Sequence, residues 1–140
     1  MIKNITYRDD IKNLPCDQLH NLFYLAGWSD QIISEEMKIN FNRPFINSTL
    51  VLSAWSNKKL VGCIRVLSDK IIRSVIYDLV IDPKFQNHGI GKELVKRSMT
   101  YFQDTEWIIQ TTNKIEKYYT RLGFKKYPNV VLYSPSKWEK

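Results

Sequence analysis

Tyr77-Asp78-Leu79-Val80-Ile81-Asp82-Pro83-Lys84-Phe85-Gln86-Asn87-His88-Gly89-Ile90-Gly91-Lys92 is the stretch on which the organisation of the chain turns. It completes a strand running from Ser74 to Ile81, rich in branched apolar residues and closed by Asp82-Pro83. A helix follows to about Phe102, with Ile90, Leu94, Val95, Met99 and Phe102 on one face. Two glycines, Gly89 and Gly91, sit at the junction. Glycine lets the backbone turn tightly and approach a ligand with no Cβ in the way. The first turn of a helix carries N–H groups without intrahelical partners, and the helix dipole adds partial positive charge there. Together these make a seat for phosphate. Each hydrogen bond to a charged group contributes roughly 1.5–3 kcal/mol, so a few of them supply much of the about −8 kcal/mol of a micromolar complex. By itself, Gly-x-Gly fits a glycine-rich turn as well as an anion seat. It is neither a Walker A loop nor a Rossmann fingerprint, because no Gly-Lys-Ser/Thr and no third glycine follow.

Two further strands precede this one, Thr49–Trp55 and Leu60–Leu67, joined by the short turns at 56–59 and 68–70, so the three are antiparallel neighbours. Upstream, residues 2–8 alternate as an edge strand. Asp17 can cap a helix carrying Leu19, Leu22, Phe23 and Ala26, which Gly27 stops, and a second helix is expected from Asp30 to Asn42, ended by Arg43-Pro44. Downstream come a fifth strand from Trp107 to Thr112, a helix from Asn113 to Leu122 stopped by Gly123, and two last strands, Phe124–Tyr127 and Val130–Ser134. This order implies an α/β (α+β) fold: a central mixed, mostly antiparallel sheet of six to seven strands with helices on both faces, in one domain spanning 1–140.

The chain has 140 residues, 44% of them hydrophobic and 25% charged, which excludes a disordered chain. No apolar stretch approaches the ~20 residues of a membrane span, and the polar start Met1–Asp10 lacks a signal-peptide core, so a cytoplasmic location is expected. Cys16 and Cys63 are far apart and fit no metal-ligand spacing; no metal is expected. A net charge of +7 favours an anionic partner, such as a phosphorylated cofactor, or reflects a solvated basic surface. The basic residues are dispersed, which argues against nucleic acid and against an anionic membrane.

Residues 77–92 resemble motif A of the GNAT superfamily of N-acetyltransferases: an apolar strand, an acidic residue with proline, then Gln-x-x-Gly-x-Gly. Asn113 followed by Tyr118-Tyr119-Thr120-Arg121-Leu122-Gly123-Phe124 resembles motif B, in the right order and one helix and one strand later. The resemblance implies the GNAT fold with a splayed sheet and acetyl-CoA as donor. It places the CoA pyrophosphate on Gln86, Asn87, His88, Gly89, Ile90, Gly91 and Lys92. The pantetheine arm falls on the backbone of Leu79, Val80 and Ile81, and a bulge frees an amide, that of Val80 or a neighbour, for the thioester carbonyl. Asn113 matches a position that hydrogen-bonds the cofactor arm, and the C-terminal strands are where this family commonly forms homodimer contacts.

Tyr119 matches the family tyrosine near the cofactor sulfur. Acetyl transfer to an amine passes through an oxyanion and expels a thiolate, and a phenol with pKa near 10 can donate to it. The plainer reading of Tyr119 is a packing aromatic beside Tyr118. The acceptor amine must lose a proton. Asp78, a carboxylate inside an apolar strand, is the first candidate base, Asp82 the second and water the third. Ala26–Phe45 falls where the family's variable acceptor-binding helices lie. Trp28, Asp30, Glu35 and Glu36 are candidates there for a cationic acceptor, and a solvated acidic helix face is the simpler alternative. The expected activity is acetyl transfer from acetyl-CoA to a primary amine of a small molecule or peptide, by direct attack in a ternary complex. A non-catalytic acyl-CoA sensor on the same fold is the alternative; it would not need the Tyr119 hydroxyl.

Overall fold

The computed structural model describes residues 4–138. The chain divides into two compact units, Met1–Gln110 and Thr111–Lys140. The first holds β1 (Ile5–Arg8), α1 (Cys16–Leu25), α2 (Glu35–Asn40), α3 (Arg43–Ile46), β2 (Leu50–Ser56), β3 (Lys59–Ser68), β4 (Arg73–Ile81), α4 (Ile90–Met99) and β5 (Glu106–Ile109). Its sheet follows chain order, β1-β2-β3-β4-β5, antiparallel except for the parallel pair β4–β5, which α4 connects. Positions 2 and 3 of the expected first strand lie outside the described residues.

Pleat alternation assigns the two faces. Val51, Cys63 and Val80 point to one side, where they pack with Leu14, Leu19, Leu22 and Phe45 under α1 and α3. Gly62, the neighbour of Cys63, points to the other side, where Ile90 opens α4. A Cβ on Gly62 would lie 2.8 Å from Ile81 Cδ1 and 3.4 Å from Ile90 Cγ2, so its lack of a side chain lets the start of α4 close on the sheet. Ile90, Leu94, Val95 and Ser98 are the buried stripe of α4. Each large apolar side chain so buried contributes about 1.5–3 kcal/mol.

Two irregularities shape the sheet. Val61 is an extra residue on β3 opposite β2, since Ala54 pairs with Gly62 but Trp55 with Leu60. Tyr77 is an extra residue on β4, since Arg65 pairs with Asp78 but Val66 with Ile76. The second is a β-bulge, which bends its strand and raises local twist. It coincides with the end of the β4–β5 ladder, whose last pair is Ile76 with Ile109.

Several helix boundaries differ from expectation. Asp17 does not cap α1: Pro15 holds that position, and Asp17 accepts from Gln18 N–H at 2.8 Å inside the first turn. The helix expected over 30–42 starts later, because the Ser34 side chain caps Met37 N–H, and stops at Asn40. Pro44 then opens α3 rather than ending a helix, as proline can where an N–H is not needed. The hairpin from β3 to β4 is closed by Asp69, whose Oδ1 accepts from Ile71, Ile72 and Arg73 N–H at 2.8, 2.7 and 3.0 Å. These bonds hold its carboxyl below the usual range.

The second unit holds α5 (Glu116–Arg121), shorter than the expected 113–122. Gly123 follows it at φ +101. The two last expected strands do not form among the described residues, so the sheet has five strands rather than six or seven. Val130, Val131, Leu132 and Tyr133 are all exposed, so no alternate set is buried there and no ladder partner fixes a register.

Candidate functional site

In the first unit the site begins at the bulge. Beyond Ile76, no described strand pairs with the edge of β4 that β5 leaves. Which peptide groups face that edge follows from the ladder. Asp82 N–H bonds to Val61 C=O at 2.9 Å, and antiparallel pairing then turns the peptide groups of Val80 and Asp78 toward β3 as well. Those of Leu79 and Ile81 point the other way, along the open edge. Consistently, Ile81 C=O accepts from the Gln86 side chain at 3.1 Å. Of the two expected alternatives, Val80 or a neighbour, the ladder leaves the neighbours: Val80 is paired with Cys63 and buried, and the open-edge amides belong to Leu79 and Ile81.

Residues 82–89 turn the chain from β4 into α4. A single 3-10 turn, Pro83–Phe85, is capped by Asp82, whose Oδ1 accepts from Lys84 N–H at 2.9 Å. Asn87 (φ +66) and Gly89 (φ +83) then adopt left-handed conformations. The first intrahelical bond of α4 runs from Glu93 N–H to Gly89 C=O, 3.0 Å, so the amides of Ile90, Gly91 and Lys92 have no acceptor within the helix. A Cβ on Gly89 would have no protein atom within 4 Å. The space beside Gly89 is therefore open, and His88 next to it is exposed. This is a cradle of donors at a positive helix end, with the chemistry a diphosphate needs.

Asp78 lies on the α1–α3 face in a half-buried ion pair, its Oδ2 2.6 Å from Arg65 Nε. Arg65 is held between the rings of Phe45 and Tyr77, 5.7 and 5.3 Å from their centroids. Sequence reading missed Arg65; its signal was a lone cation inside the buried run Leu60–Val66. Asp82 is 2% exposed and its Oδ2 lies 3.2 Å from Lys59 Nζ. Glu35 pairs with Lys38 at 3.1 Å, both side chains exposed, and Trp28 is also exposed. Cys63 is fully buried, and burial pushes its thiol up, which keeps it a poor nucleophile.

In the second unit Tyr119 lies on α5, 6% exposed. Its ring meets Tyr118 and Phe124 edge-on at 5.1 and 6.0 Å, and its C=O accepts from Leu122 and Phe124 N–H. Burial first, and Tyr118 second, push its phenol up to about 12. Asn113 is exposed in the turn before α5; β5 ends at Ile109, so Asn113 is not at a strand end as expected.

Comparison with known proteins places this geometry. Residues 12–132 match the family described as the acetyltransferase (GNAT) domain, across both units. The uncharacterized N-acetyltransferase ycf52 of Pyropia yezoensis is 30% identical over 130 residues, covering 89% of this chain and 73% of that protein. A GNAT family acetyltransferase structure from Streptococcus pneumoniae superposes with a TM-score of 0.77 at 22% identity, covering 96% of this chain and 99% of that one. An aminoglycoside acetyltransferase from an uncultured soil metagenomic sample, solved with sisomicin, superposes with a TM-score of 0.72 at 18% identity over 94% and 95% of the two chains. A bulged β4 that parts from β5, a helix opened by Gly89 and a family match over most of its length lead to one assignment: the chain belongs to the GNAT superfamily and is an N-acetyltransferase.

Proposed function

We propose that the enzyme moves an acetyl group from acetyl-CoA to a primary amine by direct attack, both substrates being bound together in one domain formed by the whole chain. The observation that carries this reading is the open edge of β4, which leads in one continuous segment to the free amides at the start of α4. Acetyl-CoA supplies the activated acetyl group. The amides from Asn87 to Lys92 bind its diphosphate, with the Gln86 side chain tying the loop to Ile81. Ile81 and Leu79 offer N–H groups along the open edge to the amide-bearing arm, and Leu79 N–H is the donor for the acetyl carbonyl oxygen. Asn113 contributes a further hydrogen bond to that arm. The acceptor arrives on the opposite face, where Asp78 and Arg65 lie.

Both candidate carboxylate bases are engaged, Asp78 by Arg65 and Asp82 by Lys59. Water therefore takes the proton of the ammonium, and the Arg65–Asp78 pair orients the amine. Tyr119 keeps its proton at neutral pH and donates a hydrogen bond to the departing sulfur; its support is its place in the second motif and its buried, protonated phenol. The raised pKa makes it a hydrogen-bond donor in preference to a full proton donor, because a thiolate is the weaker base. With Cys63 held as a thiol, no covalent acetyl-enzyme is needed.

The test is release of free thiol from acetyl-CoA across a panel of primary amines, with Asp78→Asn in parallel. The wild-type protein should release thiol with at least one amine. Asp78→Asn should stay within about tenfold of it, well short of the ~10²–10⁴-fold contributed by a general base. A larger loss would make Asp78 the base; no release with any amine would remove the reading.

A further inference from the structure

Asp82 is the most deeply buried acidic side chain near the cradle, and the reading above gives it no role. Three hydrogen bonds and one ion pair converge on it. Its N–H donates to Val61 C=O at 2.9 Å, its C=O accepts from Phe85 N–H at 2.8 Å, and its Oδ1 accepts from Lys84 N–H at 2.9 Å. Its Oδ2 has no hydrogen-bond partner and faces Lys59 Nζ at 3.2 Å, although the carboxylate is 2% exposed. Lys59 in turn sits above the Phe85 ring, 5.7 Å from its centroid. The backbone on either side of Lys59 is tied to α1: Gln18 donates to Lys58 C=O at 3.2 Å and accepts from Leu60 N–H at 2.8 Å. The β2–β3 hairpin therefore delivers one cation to a carboxylate that organises the turn leading into the cradle. A buried carboxylate is destabilising without its counter-charge, so loss of Lys59 leaves uncompensated the group to which the Lys84 and Phe85 N–H groups of the turn are bonded.

We propose that Lys59 and Asp82 are a positioning pair: they set the placement of the 83–89 turn, and with it the affinity for the donor's diphosphate, without touching either substrate. This rests on the reading of residues 87–92 as the diphosphate seat. Charge alone predicts the opposite pattern for one of the two partners. Coenzyme A is an anion, so removing Lys59 would weaken its binding and removing the Asp82 charge would tighten it. A positioning pair predicts that both changes weaken it.

The experiment is calorimetric titration with coenzyme A, with steady-state kinetics, on wild type, Lys59→Met, Lys59→Arg, Asp82→Asn, the double variant and Lys58→Met. Lys59→Met and Asp82→Asn are each expected to raise Kd for coenzyme A and KM for acetyl-CoA by about tenfold, with kcat at saturating donor within twofold. The double variant should be no worse than the weaker single, as for residues acting through one contact. Lys59→Arg should restore binding to within about threefold, and Lys58→Met, one residue away and equally cationic, should bind as wild type. Tighter binding by Asp82→Asn, equal losses in Lys58→Met and Lys59→Met, or a lower melting temperature with unchanged Kd would each overturn the proposal. If Asp82→Asn does not fold, the three lysine variants decide it alone. If the wild-type protein binds no coenzyme A, the diphosphate seat itself is wrong, which is a distinct outcome from unchanged variants of a protein that binds.

Discussion

Gly89→Val is expected to weaken coenzyme A binding at least about a hundredfold in a protein that still folds. Gly89 stands at φ +83, where a side-chain-bearing residue costs roughly 1–2 kcal/mol. That is a fraction of the 5–15 kcal/mol by which a typical domain is stable, so the fold survives. The loss falls on the ligand. A Cβ at this position meets no protein atom within 4 Å, so the valine projects into open space at the entry of α4, where the proposed diphosphate would lie. Relief of backbone strain also turns the amides of Ile90, Gly91 and Lys92 off their common target. Losing two charge-assisted bonds at roughly 1.5–3 kcal/mol each amounts to about two to four orders of magnitude in affinity. Calorimetry with coenzyme A beside a thermal melt checks this; wild-type affinity in a folded Gly89→Val protein would show that the diphosphate does not sit there.

Tyr119→Phe is expected to lower kcat about ten- to a hundredfold, as the loss of one hydrogen bond to a charged sulfur, roughly 1.5–3 kcal/mol, implies, with KM for acetyl-CoA within about threefold. Phenylalanine preserves the ring contacts to Tyr118 and Phe124 and removes only the hydroxyl. Because burial holds the phenol up to about 12, it stays protonated through the whole assay range, and ionisation of Tyr119 should produce no fall in kcat between pH 7 and pH 10. A pH–rate series on wild type and variant measures both. Unchanged kcat in Tyr119→Phe would leave the residue as packing alone.

What the sequence disclosed, and what it withheld, divides along physical lines. Strand periodicity and turn residues placed β2, β3 and β4 to within a residue, because each is flanked by short polar turns and has a full ladder on at least one side. The start of α4 was legible because the helix entry needs the left-handed turn that Gly89 makes at φ +83, a conformation glycine adopts freely. The segment 30–46 misled because helical spacing runs through Ser34 and Pro44, and only the cap bond to Met37 and the fixed φ of proline decide where the turns break. The last strands were drawn from apolar content, but a strand exists only with a neighbour, and Val130–Tyr133 has none among the described residues. In the site, residue types were visible and peptide directions were not. Choosing Leu79 over Val80 needs the ladder phase set by the Asp82–Val61 bond. Arg65 and Lys59, the partners of Asp78 and Asp82, lie 13 and 23 positions away in the chain, and only the register of β3 against β4 brings them in.

The account stands on the diphosphate seat, and its most direct test is a ¹⁵N-detected titration of the wild-type protein with coenzyme A and, separately, with pantetheine, which lacks the diphosphate. Coenzyme A should bind at about micromolar affinity and move the amide resonances of Asn87 through Lys92 together with those of Leu79 and Ile81. Pantetheine should bind at least about a hundredfold more weakly, as loss of several charge-assisted bonds requires. Equal affinities for the two, or amide shifts that leave residues 87–92 unmoved, would contradict it.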